Sequence, residues 1–235
     1  MTPLVVTGTG TGVGKTVVTS ALAAFAAASG LRVAVMKVAQ SGVGAGQPGD
    51  VDEVRRLAGS SVTCRELARY PDPLAPAAAA RLSGLPPVTL AIATRAAQEL
   101  ATAHDLVLIE GTGGLLVPLN DAGATLADIA TALAVPVLVV VPAGLGTLNH
   151  TALTVEALRN RALSCPGIVI GDWPAEPDLA AWCNMTDLPT ITGLPLLGAL
   201  PVGASRLTPA EFLAMARREL GSGLKRSQWW QGLSA

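Results

Sequence analysis

The sequence predicts a single α/β domain built on a doubly wound, mainly parallel sheet with helices on both faces. Short runs of β-branched apolar residues recur along the chain, and each run is followed by a glycine-rich or polar loop and then by a helical stretch. The runs are nearly continuous rather than alternating, which is typical of strands buried on both faces. Strands that alternate with helices are joined by crossover connections, which favours a parallel sheet.

The apolar runs and the helix signals between them place the elements. The predicted strands are Leu4–Thr7, Val33–Met36, Leu106–Ile109, Val137–Val141, Ile168–Ile170 and, more weakly, Leu196–Leu200. The predicted helices are Lys15–Ser29, Val51–Ala58, Ala75–Ser83, Val88–Ala103, Leu126–Leu133, Leu148–Ala162 and Leu179–Asn184. A last helix is expected to begin after the N-cap Thr208, with Pro209 in its first turn and Glu211 closing a capping box.

The composition excludes several classes of protein. Of the 235 residues, 50% are apolar and 14% are charged, which supports a sizeable core and argues against a disordered chain. A net charge of −1 provides no basic field for a polyanion, so nucleic acid is not an expected partner. The mean hydropathy is +0.49. Proline and glycine nevertheless interrupt every apolar run well short of the roughly 20 residues of a membrane span, so no membrane partner is expected.

The termini and the cysteines bear on compartment and organisation. The N-terminal segment lacks the basic region of a signal peptide, so a cytoplasmic protein is expected. We expect residues 1–220 to form the domain and residues 221–235 to form a tail, in which Trp229 and Trp230 cover a core edge or a subunit contact. Three widely spaced cysteines form no CxxC pair and are expected to be buried free thiols. They are Cys64, Cys165 and Cys183.

The first predicted strand leads into a glycine-rich loop, Gly8–Thr16, which opens the first helix. Glycines let successive backbone N–H groups point at phosphate oxygens, and the helix N-terminus adds partial positive charge. Lys15 is placed to reach the β- and γ-phosphates, and the Thr16 hydroxyl is placed to ligate magnesium. The regular pattern has glycine at the position of Thr9, so this is a P-loop with one extra residue. The loop predicts binding of a nucleoside triphosphate.

Two charged residues follow neighbouring apolar runs. Glu110 precedes the glycine turn Gly111–Gly114. It can hold magnesium opposite Thr16, as acids at strand ends do in P-loop enzymes, or it can cap the next turn. Lys37 can reach the γ-phosphate and stabilise a transferring phosphoryl group, or it can extend into solvent as a surface lysine. Ser41 lies on the same loop as Lys37.

Two further polar loops also follow strands. Asp50 begins a helix whose first turn is acidic, which the helix dipole alone favours, and it is the candidate magnesium ligand that stands nearest the loop. After the fourth strand, Thr147 is expected to cap a helix whose free N–H groups, with Asn149, form an anion site. All these loops gather at the carboxyl edge of the sheet, where open α/β folds bind ligands.

The segments VTGTGTGVGKT, Lys37 with QSG behind it, EGTGG and AGLGTLNHT occur in this order, and together they resemble the dethiobiotin synthetases over residues 4–205. The resemblance implies a P-loop NTPase-like fold and an enzyme that uses ATP, Mg²⁺ and CO₂ or bicarbonate to close the ureido ring of 7,8-diaminopelargonic acid. The intermediates would be a carbamate and a carbamic-phosphoric anhydride. The resemblance also implies a homodimer with active sites at the subunit interface, and neither a biotin group nor an iron–sulfur cluster.

The same resemblance assigns roles to residues. Lys15 and Lys37 would be catalytic, because they neutralise charge on the γ-phosphoryl group and the carbamate. The magnesium ligands would be Thr16, Asp50 and Glu110. The nucleotide contacts would be Gly12, Val13, Gly14, Lys15, Thr16, Val17, Asp50, Glu110, Gly111, Thr112 and Gly113. The substrate contacts would be Thr11 and Ser41 near the carbamate, and Gly146, Thr147, Leu148 and Asn149 at the carboxylate of the substrate in the other subunit.

One departure from the family concerns the base of the nucleotide. Relatives commonly carry an asparagine that reads adenine after the fifth strand, whereas this chain has the sequence GDWP there. We hypothesise that the protein backbone reads the base and that ATP is one of several nucleoside triphosphates accepted. The residues assigned to this role are Gly171, Asp172, Pro201, Val202 and Gly203.

The alternative from another class is a nucleotide-switch ATPase of the partitioning or cell-division-site type, which shares this fold. Such proteins usually carry a second lysine early in the P-loop and a basic membrane- or DNA-binding surface, and the sequence shows neither. An electron-transfer ATPase of the nitrogenase iron-protein type needs cysteines in strand-end loops, where this chain has none.

Overall fold

The computed structural model describes residues 2–234, which form one α/β domain. The strands are β1 (Thr2–Gly8), β2 (Val33–Lys37), β3 (Gln40–Ser41), β4 (Thr63–Glu66), β5 (Arg69–Tyr70), β6 (Leu106–Gly114), β7 (Val137–Pro142), β8 (Ile168–Trp173) and β9 (Leu196–Pro201). Seven of them form one sheet in the order β4-β2-β6-β1-β7-β8-β9, in which every pair is parallel. A separate small sheet pairs β3 with β5.

Helices cover both faces of the large sheet. They are α1 (Lys15–Ala27), α2 (Asp50–Ala58), α3 (Pro76–Ser83), α4 (Leu90–Ala103), α5 (Leu126–Leu133), α6 (Thr147–Arg159), α7 (Leu179–Thr192), α8 (Pro209–Arg226) and α9 (Gln228–Ser234). Within residues 2–234, no helix is long and apolar enough to cross a membrane.

The apolar residues of each strand supply two cores, one on each face of the sheet. On β1, Val5 points into the core beneath α3 to α7, whereas Leu4 and Val6 point into the core beneath α1, α2 and α8. Burial on both faces explains why the runs are continuously apolar. The predicted doubly wound fold and all six predicted strands are confirmed.

The strands that the sequence did not predict are short and polar. The edge strand β4 consists of Thr63–Glu66, and β3 and β5 have two residues each, so none of them contains an apolar run. The strand β6 is longer than predicted, because it continues through the glycines after Glu110 with a shift in register against β1. Glu110 therefore lies within a strand and not at its end.

Several helix boundaries also differ. The helix α1 ends at Ala27 and not at Ser29, and α6 spans Thr147–Arg159 and not Leu148–Ala162. The helix α7 continues to Thr192, past the predicted end at Asn184, because the fully buried Leu188 packs its last turns onto the core despite Pro189. The capping box at the start of α8 is confirmed, since the Thr208 side chain accepts from the Glu211 N–H.

The C-terminal segment packs onto the domain. The helix α8 runs through Gly221, so the predicted division at residue 220 falls inside a helix. Trp230 is buried with its ring centroid 4.8 Å from that of Phe25. A subunit contact at Trp229 stays a prediction. The three cysteines are free, but Cys183 is exposed and the other two are half-buried, so the prediction of three buried thiols is wrong.

Candidate active site

The site is organised around a lysine ammonium that is buried between strands. Parallel pairing of β2 with β6 sets Lys37 directly opposite Glu110, and both side chains are almost fully buried. Lys37 Nζ donates to Glu110 Oε1 at 2.7 Å and to the Gly111 carbonyl at 3.1 Å. Asp50 Oδ2, at the start of α2, lies 2.5 Å from the same nitrogen. Three acceptors therefore meet the three donors of the ammonium, and Lys37 is not a solvent-exposed surface lysine.

This arrangement keeps the ammonium charged. Burial by itself would lower the pKa of Lys37, but the negative charges of Glu110 and Asp50 and their hydrogen bonds outweigh it and raise the pKa. Lys37 therefore carries its proton throughout the physiological range of pH.

The P-loop lies beside this cluster. The backbone of Gly14 is in the left-handed region at φ 86°, and a Cβ there would lie 2.3 Å from the Gly171 carbonyl oxygen, so only glycine fits. This contact joins the P-loop to the end of β8. Lys15 Nζ donates to the Gly10 carbonyl at 2.7 Å, and Thr16 Oγ1 donates to Glu110 Oε1 at 2.9 Å. The loop and the buried lysine thus share Glu110.

Lys15 differs from Lys37 in its electrostatic surroundings. Burial, followed by the nearby charge of Lys37, lowers the pKa of Lys15 to about 8, although Glu110 and Asp50 act in the opposite direction. A lysine with this pKa gains affinity for its proton when an anion such as a phosphate binds beside it.

These residues surround a cavity of about 390 Å³. Eleven of the 23 residues predicted for the site line it, together with Gln40, which was not predicted. The predicted residues in the lining are Thr11, Gly12, Gly14, Lys15, Thr16, Val17, Lys37, Ser41, Asp50, Thr112 and Gly113. Three others lie behind the lining: Val13 packs into a core, Glu110 is buried beneath Lys37, and the space next to Gly111 is filled by Leu126.

Two buried oxygens at this site have no hydrogen-bond partner in the described structure. They are Ser41 Oγ and Glu110 Oε2. Buried polar atoms are normally hydrogen-bonded, and unpartnered ones concentrate where a ligand or ion supplies the missing contact. Thr11 also lines the cavity, and its Oγ1 lies 3.7 Å from the position that a Cβ on Gly113 would occupy.

The predicted magnesium ligands fit a hard cation. Thr16, Asp50 and Glu110 present only oxygen atoms, and Glu110 has one carboxylate oxygen without a partner. Magnesium is usually held by one or two carboxylates together with substrate phosphates and water, so a cage of protein ligands is not required. Among residues 2–234, no group of three or more His, Cys, Asp or Glu side chains forms such a cage.

The loop before α6 lies at the same edge but outside this cavity. Gly146 is the N-cap of α6 at φ 88°, so Thr147 is the first helical residue and not the cap, which corrects the prediction. Thr147 is fully buried and its Oγ1 has no partner in the described structure. Asn149 and the neighbouring Leu145 are exposed, and Leu145 is 89% accessible. Within one chain, Gly146–Asn149 do not line the cavity at the P-loop.

The loops assigned to the nucleotide base lie beside each other. The Val202 N–H donates to the Trp173 carbonyl at 2.7 Å, which ties the loop after β9 to the end of β8. Asp172 lines a second cavity of about 330 Å³ that also includes Gly12 of the P-loop. Pro201, Val202 and Gly203 line neither cavity.

The sequence reasoning missed the side chains that hold the loops in place. Gln40 contacts the start of α2, Arg69 contacts the loop before it, and Asn184 donates to the carbonyls of Ala143 and Gly144 ahead of α6. A glutamine directly after the apolar residues Val38 and Ala39 and before Ser41 was the available signal for the first of them.

The chain is similar over nearly its whole length to known proteins. A family model described as an AAA domain matches residues 2–208. A protein of Saccharopolyspora erythraea named ATP-dependent dethiobiotin synthetase BioD is 61% identical over 95% of this chain and 97% of its own length. The protein of that name from Streptomyces coelicolor is 59% identical over 92% of this chain and 90% of its own length.

The fold also resembles that of solved structures of other proteins. The cell division ATPase MinD of Pyrococcus furiosus matches with a TM-score of 0.53, over 100% of this chain and 96% of that chain. The identity is 19%, so this likeness concerns the P-loop NTPase-like fold alone.

The lowered pKa of Lys15 predicts that nucleotide binding takes up protons. At pH 8, Lys15 is about half protonated in the free protein, and phosphate binding completes its protonation, so uptake of up to about half a proton is expected. Calorimetric titration with MgATP in buffers of different ionisation enthalpy measures this number. Lys15→Arg, which stays charged, is the control and should abolish the uptake. Uptake that persists in Lys15→Arg would assign the proton to another group.

Proposed function

The chain belongs to the dethiobiotin synthetase family, and on this premise we propose that it closes the ureido ring of 7,8-diaminopelargonic acid with CO₂, while ATP is hydrolysed to ADP and phosphate. Family members are ATP-dependent ligases that form C–N bonds in biotin synthesis. The observation that carries the proposal is the Lys37 ammonium, buried between Glu110 and Asp50 in the same cavity as the P-loop Lys15.

The proposed reaction has three steps. One amine of the substrate adds to CO₂ and loses a proton, which forms a carbamate. A carbamate oxygen attacks the γ-phosphorus while the bond to the β–γ bridging oxygen breaks, so ADP leaves and a carbamic-phosphoric anhydride remains. The second amine then attacks the carbamate carbon and loses a proton, and phosphate departs as the ring closes. The attack on phosphorus brings two anions together, so fixed positive charge lowers its barrier.

Lys15 and Lys37 supply that positive charge. Lys15 reaches the phosphates from the P-loop, and its present contact with the Gly10 carbonyl is exchanged for the nucleotide. Lys37 lines the same cavity and is held by groups that also keep it protonated. Because these contacts exist before substrate binds, the charge needs little reorganisation during the reaction, which is the condition for effective electrostatic catalysis.

Buried oxygens without a hydrogen-bond partner in the described structure indicate further contacts to the carbamate and to magnesium. Ser41 Oγ, buried without a partner among the described residues, donates to the carbamate, and Thr11 contacts it from the P-loop side. Thr16, Asp50 and Glu110 are the groups that would hold magnesium. Bound there, magnesium would reduce the negative charge on the phosphates.

The carboxylate of the substrate binds at the N-terminus of α6 in a second copy of the chain. Helix N-termini favour anions, and the buried Thr147 hydroxyl there lacks a partner in the described structure. Gly146–Asn149 lie outside the cavity of their own chain, and the exposed Leu145 and Leu153 flank them. These observations support a homodimer with its sites at the subunit interface, and we propose the cytoplasm as its compartment.

The experiment that tests the function is a product assay. Purified protein, ATP, Mg²⁺, labelled bicarbonate and 7,8-diaminopelargonic acid are mixed, and phosphate release and acid-stable label are followed together. We expect phosphate release that depends on the diamine, with one label fixed per phosphate. Hydrolysis of ATP without the diamine and without fixed label would reject ring closure and favour the nucleotide-switch ATPase.

Replacing Lys37 by glutamine should abolish turnover while largely preserving nucleotide binding. The ammonium contributes more to the transition state than to the ground state, so we expect kcat to fall on the order of 10²- to 10³-fold. Stopped-time assays and calorimetry with MgATP measure the two effects. Lys225→Gln, an exposed lysine at the end of α8, is the matched control. Equal losses of kcat and nucleotide affinity would make Lys37 a phosphate anchor instead.

Base selection by the backbone predicts a weak preference among nucleotides. Gly171 lies against the P-loop, and the assigned loops contain no asparagine. We expect kcat/KM values for ATP, GTP and CTP of the same order, measured under equal magnesium saturation. A hundredfold preference for ATP would show that a side chain reads the base.

A further inference from the structure

Asp50 follows a segment whose own sequence does not fix a single backbone conformation. Residues 42–49 connect β3 to α2, contain four glycines and a proline, and are mostly exposed. Glycine-rich segments of this kind have many accessible conformations. The carboxylate of Asp50 nevertheless lies 2.5 Å from Lys37 Nζ, so other groups must hold the start of α2 in place.

Gln40 contacts the start of this helix directly. Its side chain is 6% exposed, and its Oε1 accepts the Asp50 N–H at 2.9 Å. The N-cap residue Gly49 has no side chain, so Gln40 satisfies one of the first N–H groups of α2 from a distant position in the chain. Gln40 Nε2 donates to the Ser41 carbonyl at 3.3 Å, and its backbone N–H donates to Ala68 at 2.8 Å. The amide thus links the small β3–β5 sheet to Asp50.

Arg69 holds the preceding loop from the other strand of that small sheet. Glu66 orients its guanidinium through contacts at 2.7 and 2.9 Å. The guanidinium in turn donates to the carbonyls of Gly44 and Gln47. A Cβ at Gly49 would lie 2.8 Å from Arg69 Nη2 and 3.1 Å from Gln40 Oε1, so the backbone is packed closely against both side chains.

We propose that Gln40 is a positioning residue that sets Asp50 against Lys37 and thereby sets the carboxylate geometry available to magnesium. The role of magnesium rests on the proposed function, whereas the role of Gln40 rests on contacts within the chain. Gln40 touches neither carboxylate that we assign to the metal, but it fixes the backbone that carries one of them. Groups that orient metal ligands typically alter metal affinity by about 10- to 100-fold when replaced.

The test is metal binding to the protein in complex with a non-hydrolysable ATP analogue. Mn²⁺ is titrated and its unbound fraction is followed by electron paramagnetic resonance, a measurement that requires no turnover. Gln40→Met keeps the volume of the side chain and removes its hydrogen bonds, so we expect the Kd for Mn²⁺ to rise about tenfold. Gln40→Glu keeps the acceptor for the Asp50 N–H and should bind Mn²⁺ more tightly than Gln40→Met does.

Two further variants complete the design. Gln47→Leu is the matched control, because Gln47 is an exposed glutamine of the same segment whose side chain accepts a hydrogen bond from the Gly44 N–H. Gly49→Ala pushes against Gln40 and Arg69 without removing a buried group, so it should also weaken Mn²⁺ binding, and it decides the question should Gln40→Met not fold. Mn²⁺ affinity that stays within twofold of the unmodified chain in Gln40→Met, or in Gly49→Ala where the former is unfolded, overturns the proposal.

Mn²⁺ titration of the variants and the product assay on the unmodified chain test this proposal and the proposed function separately. Weakened Mn²⁺ binding in the variants together with a negative product assay in the unmodified chain would retain Gln40 as a positioning residue and reject ring closure. A positive product assay in the unmodified chain together with unaltered Mn²⁺ binding in the variants would support ring closure and reject Gln40 as a positioning residue.

Discussion

The contact on which the rest of the site depends is the ion pair between Lys37 and Glu110. A charge removed from water requires a partner of opposite sign, and removing one member of a buried pair typically destabilises a protein by about 3–5 kcal/mol. The register of β2 against β6 provides that partner by setting the two residues opposite each other. Asp50 joins from α2, and Thr16 joins from the P-loop through the same carboxylate. Strand pairing, the first helix and the second helix are thereby fixed relative to one another at one point.

The order of strands explains why this point is also the candidate binding site. The strand β1 lies at the centre of the sheet, with β6 and β2 on one side and β7 and β8 on the other. Loops that leave the carboxyl ends of parallel strands on both sides of such a centre form a crevice. On one side the crevice is bounded by Lys37 and Glu110. On the other it is bounded by Gly171, whose carbonyl touches the P-loop at Gly14 so closely that neither position accepts a side chain.

The side chains that fix the loops around the crevice were harder to infer from the sequence than the side chains that line it. The P-loop, Lys37 and Glu110 carry patterns that chemistry restricts to few residue types, so their positions followed from the sequence. Gln40, Arg69 and Asn184 act through backbone carbonyls and N–H groups of loops, which any residue supplies. Their importance depends on which loop lies next to them, and that is decided by packing across residues distant in the chain. Likewise, the polar strand β4 exists because β2 offers it a pairing edge, and the two-residue strands β3 and β5 exist because they pair with each other.

The sequence by itself determined the fold class, the six apolar strands and the residue types of the candidate phosphate site. Continuous apolar runs have no stable alternative to burial on both faces, and a glycine loop before GKT has a conformation set by its own backbone. Only the tertiary structure decided that Glu110 lies inside a strand, that Thr147 follows its cap, and that Asp50, rather than Asp52 or Glu53, meets Lys37. These outcomes depend on strand register and on helix direction, which are set by contacts between distant segments and leave no local pattern in the chain.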